Sequence, residues 1–159
     1  MPNESVEIIK CNFKNPEHTS SFVELLTEYM AHPMGDTTEL NKNQKQTLVH
    51  DLSIHPTVCV LLLKYGNKIV GTATCFKNYS TFKAAPFINV HDLIISQSYR
   101  RKGLARKLLS GIINMAKEAN CCKVNLEVRS DNEAAMALYQ SIGFGECNPP
   151  MKFWQLPLD

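Results

Sequence analysis

The sequence predicts an α+β domain: a mostly antiparallel, twisted mixed sheet flanked by helices. Three observations predict it. Strand-like and helix-like segments follow in the order strand, two helices, three strands, helix, strand, helix, strand. Gly66-Asn67 joins two β-rich runs directly, the signal of an antiparallel hairpin. The run Ile88–Ser96 is almost continuously apolar after Asp92, as expected of a central strand covered on both faces. At 159 residues the chain fits a single domain, 1–159. A chain of this size buries roughly two thirds of its unfolded surface and needs no disulfide or metal to fold.

The elements follow in order. Val6–Asn12 reads as a strand. Asn15-Pro16 starts a helix that runs to Met30 on Phe22, Leu25, Leu26 and Tyr29. A more polar helix spans Thr38–Leu52 and is closed by His55-Pro56. Thr57–Tyr65 and Lys68–Asn78 are the hairpin, and Ile88–Ser96 is the next strand. Gly103–Asn120 carries Leu104, Leu108, Ile112, Met115 and Ala116 on one helical face. Lys123–Val128 is a strand. Ser130-Asp131-Asn132-Glu133 reads as a capping box for a helix ending at Ile142-Gly143. Phe144–Cys147 and Met151–Leu156, separated by Pro149-Pro150, are expected to be two last short strands.

Composition narrows the function. The longest apolar run, Val58–Leu63, is far short of the ~20 residues of a membrane span. The N-terminal residues MPNESVEIIK lack the basic and apolar segments of a secretory signal. A cytoplasmic protein without a membrane partner is expected. The six cysteines show neither CxxC nor zinc spacing, so they are expected to be reduced packing residues, with no metal site. The net charge is +2, yet Arg100–Lys107 (RRKGLARK) holds five cations and no acid. One local basic patch on an otherwise acidic chain points to a localised anionic ligand. No aromatic interrupts the basic run and the following helix needs its apolar stripe for the core, so a nucleic-acid partner is not expected.

A strand, a short basic loop with glycine, then a helix presents unbonded backbone N–H groups and the positive end of a helix dipole to phosphate. Gly103 removes a side chain where a pyrophosphate would approach. Neither GxxxxGK[ST] nor GxGxxG is present. Arg100-Arg101-Lys102-Gly103-Leu104-Ala105 resembles the Q/R-x-x-G-x-G/A acetyl-CoA signature of the GNAT superfamily of N-acyltransferases. The strand His91-Asp92-Leu93-Ile94-Ile95 precedes it. Asn132, Ala135, Leu138-Tyr139 and Gly143-Phe144 follow at the spacing of that family's N-x-x-A-x-x-L-Y-x-x-x-G-F element. Tyr79-Ser80-Thr81-Phe82, Asp92 and Tyr99-Arg100 are similar to the spermidine/spermine and thialysine acetyltransferase group, which has Glu where this chain has His91.

The resemblance implies a single-domain GNAT fold and direct acetyl transfer from acetyl-CoA, as co-substrate, to a primary amine. Small-molecule acceptors are expected ahead of an exposed lysine, and similar proteins are often homodimers. The implied cofactor contacts are Leu93, Ile94 and Ile95 along the pantetheine, then Arg100, Arg101, Lys102, Gly103, Leu104, Ala105 and Arg106 at the phosphates. Asn132, Ala135 and Tyr139 complete the set. Tyr139 is implied as general acid at the CoA sulfur. His91, Asp92 or an ordered water is left as the base, because strand neighbours face opposite sides unless a bulge intervenes. The loops His32–Asn43, with Asp36 and Glu39, and Lys77–Pro86 are the expected acceptor walls. The competing reading is a non-catalytic module of the same fold that binds CoA as a sensor.

Overall fold

In the computed structural model, residues 4–35 and 37–158 are described, so Asp36 of the expected acceptor wall lies outside the described residues. The chain forms two compact units, Met1–Glu127 and Val128–Asp159. Among the described residues no helix is long and apolar enough to cross a membrane.

The first unit holds β1 (Val6–Lys10), α1 (Pro16–Ala31), α2 (Lys42–Ile54), β2 (Val58–Tyr65), β3 (Lys68–Ser80), β4 (Ala85–Ile95), α3 (Leu104–Glu118) and β5 (Val124–Leu126). The sheet order is β1-β2-β3-β4-β5. Its first three pairings are antiparallel and β4–β5 is parallel, the mostly antiparallel mixed sheet the sequence predicts. Alternation along the strands divides two cores. Ile9, Cys11, Val60 and Leu62 join Phe22, Leu25 and Leu26 of α1. The intervening Cys59 donates its thiol to the Met115 sulfur of α3 at 3.6 Å. Ile8 lies so close to α3 that a Cβ on Gly111 would stand 2.7 Å from its Cδ1. A side chain there would have to displace the end of Ile8, so the small residue lets α3 lie close to β1.

Helix starts follow local chemistry. Asn15 accepts from the Glu17 and His18 amides, with Pro16 beginning α1. α2 begins at Lys42 rather than near Thr38, because Asn41 and Gln44 form a reciprocal capping box there. The second unit contains α4 (Glu133–Ile142), capped by Asn132, whose side chain accepts from the Ala135 amide at 3.2 Å. The cap is thus Asn132 and not Ser130.

Three expectations are corrected. The strand expected over Lys123–Val128 shortens to three residues. Phe144–Cys147 and Met151–Leu156 form no strand. Pro149 and Pro150 supply no N–H, and the adjacent Phe153 and Trp154 are both exposed, so the segment builds no single buried face. The cysteines divide: Cys11 and Cys75 are buried, while Cys122 and Cys147 are exposed and pack no core.

Candidate functional site

The parallel pairing of β4 with β5 covers only Ile88↔Val124, Asn89↔Asn125 and Val90↔Leu126. The Asn89 side-chain Nδ2 donates to Asn125 Oδ1 at 2.9 Å and pins the two strands just before they part. Beyond Val90, residues His91–Ile95 keep β3 on one side and, among the described residues, pair with no strand on the other. The Ser96 amide donates to Val70 O on β3 at 2.8 Å. Alternation then turns the N–H and C=O of Leu93 and Ile95 to the open side. An extended, amide-bearing ligand can pair with such an edge as a strand does.

The split starts at a bulge. Thr74 pairs with Asp92 and Cys75 with Val90, so His91 is the extra residue. The intervening irregularity that the sequence left open is therefore present. The exposed His91 ring stands edge-on to Phe76, centroids 5.6 Å apart. Burial holds the Asp92 carboxyl above the usual carboxylate range, against the smaller opposing pull of the His91 charge and the Thr74 hydroxyl. Thr74 Oγ1 is buried without a hydrogen bond of regular geometry, so it acts on Asp92 as a nearby dipole. Sequence reading missed Thr74, because only the hairpin register places it opposite Asp92.

Past Ile95, a 3-10 turn at Gln97–Tyr99 leads into the basic loop. Arg101 has φ +62° and Gly103 φ +73°. For Arg101 the left-handed conformation costs about 1–2 kcal/mol. The Lys107 amide donates to Gly103 O at 3.2 Å, and the amides of Leu104 and Ala105 lie ahead of it in the first turn of α3. Two of the expected phosphate cations also make contacts within the protein. Arg100 Nε donates to Ile95 O at 3.1 Å and its Nη1 meets His32 Nε2 at 3.2 Å. The Lys102 ammonium lies 5.0 Å from the Tyr65 ring centroid and 5.6 Å from that of Tyr99.

In the second unit, Tyr139 is half-buried with its ring 6.0 Å from that of Phe144. The Asn132 carbonyl oxygen is taken by the helix cap, which leaves its NH2 as the group able to meet a ligand. Burial pushes the Cys11 and Cys75 thiols up to about 11 and about 12, unsuited to nucleophilic work. An open groove of about 780 Å³ lies against α1 and α2, lined by Val23, Leu40, Lys45 and Val49 among others. None of its lining residues belongs to β4 or the basic loop, so it is a separate depression.

The model of the acetyltransferase (GNAT) family matches residues 20–144. The chain is 40% identical over 63 residues to the N-alpha-acetyltransferase RimI of Mycobacterium tuberculosis, covering 39% of this chain and 38% of that protein. It is 33% identical over 91 residues to the N-alpha-acetyltransferase MAK3 of Arabidopsis thaliana, covering 56% and 45%. The chain thus spans less than half the length of these curated relatives. The crystal structure of a ribosomal-protein-alanine N-acetyltransferase from Brucella melitensis biovar Abortus superposes with a TM-score of 0.78. That likeness covers 98% of this chain and all of the other at 16% identity, and it shows the fold. These names speak of α-amines and a protein alanine, and do not single out the spermidine group. With the family model spanning both the opened strand and the loop–helix segment, the chain belongs to the GNAT acetyltransferase family.

Proposed function

We propose that this chain transfers an acetyl group from acetyl-CoA directly to a primary amine, of a small molecule or of an exposed peptide group, with 1–159 working as one catalytic domain. The observation that carries the reading is the open edge of β4 running into the amide-rich turn at the start of α3. The family match continues past Glu127 to residue 144 and so takes in Asn132, Ala135 and Tyr139. Leu93, through its N–H and C=O, and Ile95, through its N–H, offer backbone groups to the pantetheine arm, with Ile94 holding the strand to the core. The amides from Arg101 to Ala105, with Arg101 and Arg106 nearby, receive the pyrophosphate. Asn132 and Ala135 bind the arm and Tyr139 protonates the departing thiolate.

Asp92 takes the amine proton. Its raised proton affinity and its place where the edge opens support that role. His91, exposed beside it, orients or hydrates the arriving amine. The thioester carbon is attacked once: the N–C bond forms, the C–S bond breaks, and CoA leaves as thiol with the proton from Tyr139.

The test is binding. At a hundredfold excess over Kd, acetyl-CoA should stabilise the fold by ~2.7 kcal/mol, roughly 5–10 °C in melting temperature. A titration to millimolar acetyl-CoA without any shift would reject the cofactor assignment.

Gly103 gives a second, sharper check. A Cβ there meets nothing within 4 Å, but φ is +73°, so any substitution carries strain of about 1–2 kcal/mol. Gly103→Ala therefore isolates the strain, and Gly103→Glu adds a carboxylate at the phosphate. Both should fold. The alanine variant should bind acetyl-CoA weakly and the glutamate variant not at all. Equal affinities in the two would refute pyrophosphate binding at this loop.

A further inference from the structure

Arg101 is held left-handed without being glycine. Such strain persists only where the surroundings fix it. The side chains on either side of Arg101 are both pinned: Arg100 between Ile95 O and His32, Lys102 over Tyr65 and Tyr99. The two tyrosine rings also meet each other, 5.8 Å apart and tilted by 66°. The segment is secured again at its root. The Glu28 carboxylate of α1 accepts from Ser96 Oγ at 3.0 Å and from the Gln97 amide at 2.5 Å. Glu28 and His32 stand one helical turn apart, so the end of α1 grips the segment at two points. The two grips differ in kind. Both His32 nitrogens face donors, the Met34 amide at 3.1 Å and Arg100, yet a neutral imidazole has one acceptor nitrogen. Its bonds compete, whereas both Glu28 oxygens are matched to their donors.

We propose that Glu28 is a positioning residue for the cofactor loop: it fixes the Ser96–Gln97 turn so that the clamps at Arg100 and Lys102 hold Arg101 left-handed and the following amides converge before any ligand arrives. The inference rests on the reading of that loop as the pyrophosphate site. Preorganisation of this kind raises affinity by removing the ordering cost from binding. Glu28 itself touches no reacting atom, so its loss should appear in cofactor affinity and not in the chemical step.

The experiment compares Glu28→Ala and Glu28→Gln with the wild type by calorimetry with CoA, by steady-state kinetics and by amide exchange over residues 97–103. Glutamine can still accept from the Gln97 amide while its NH2 donates to the Ser96 hydroxyl. Glu28→Ala should weaken CoA about tenfold or more, raise the KM for acetyl-CoA in parallel, leave kcat at saturation within about twofold, and speed loop exchange. Glu28→Gln should return to within about threefold of the wild-type affinity. Wild-type affinity in Glu28→Ala would overturn the proposal, and so would equal losses in both variants accompanied by a fall in melting temperature. Wild-type protein that binds no CoA would sink the functional reading itself, a failure visible before any variant is made.

Discussion

Tyr139→Phe is expected to cut turnover by ~10²–10⁴-fold, the usual contribution of a positioned general acid. Affinity for acetyl-CoA should change by no more than about tenfold, the ceiling for losing one neutral hydrogen bond. The variant should fold normally, because its backbone carbonyl and its ring are held by contacts that a phenylalanine also makes. Its carbonyl accepts from the Gly143 amide at 3.2 Å and the Phe144 amide at 3.0 Å, closing α4. Its ring lies against Phe144, and a phenylalanine ring fills the same space. The contrast with a packing role is therefore clean: a tyrosine that only packs would leave turnover almost unchanged. Single-turnover measurement is the right readout, since slow product release would hide a lost acid in kcat. A single-turnover rate above about half that of wild type would leave Tyr139 without a catalytic part.

How much of this site could be read beforehand depends on the range of the interaction. The loop and α3 were legible because their signals are local. Gly103 sits where a left-handed residue is needed, and the apolar stripe of α3 marks its buried side. The β2–β3 hairpin was equally plain from Gly66-Asn67. What escaped is long-range. The bulge at His91 exists only as a mismatch between the registers of two strands, and Thr74 faces Asp92 only because of that mismatch. Glu28 lies 69 residues from the Gln97 amide it accepts from, and nothing in the periodicity of α1 distinguishes it from a solvated acid. The basic run hid one further feature: charge count gives no sign that Arg100 and Lys102 also fold back onto the protein as struts. The C-terminal strands failed for the same reason, since apolar residues near prolines indicate a strand only when an edge is there to receive them.

Asp92→Asn should lower turnover per unit amine affinity by ~10²–10⁴-fold, because asparagine keeps the shape and cannot accept the proton. The same change should raise stability at neutral pH, and the sign follows from the direction of the shift. Burial raises the Asp92 pKa in the folded state above its ordinary 3.8, so the folded protein binds that proton more tightly than the unfolded chain. Stability then falls as pH rises from the ordinary carboxyl value through the raised one, and above it the protein carries the full cost of a desolvated carboxylate. Asparagine resembles the protonated form and removes that cost, so the pH-dependent loss should disappear from the variant's unfolding profile. A carboxylate serving only structure, through favourable bonds, would show the opposite: weaker folding at neutral pH after substitution. His91→Gln separates the remaining candidate. It should reduce the rate less than tenfold and displace the ascending limb of the pH profile, through loss of the cationic neighbour that favours the Asp92 carboxylate, without abolishing it. Measured with the true acceptor, a limb that vanishes in His91→Gln and survives in Asp92→Asn would transfer the base role from Asp92 to His91.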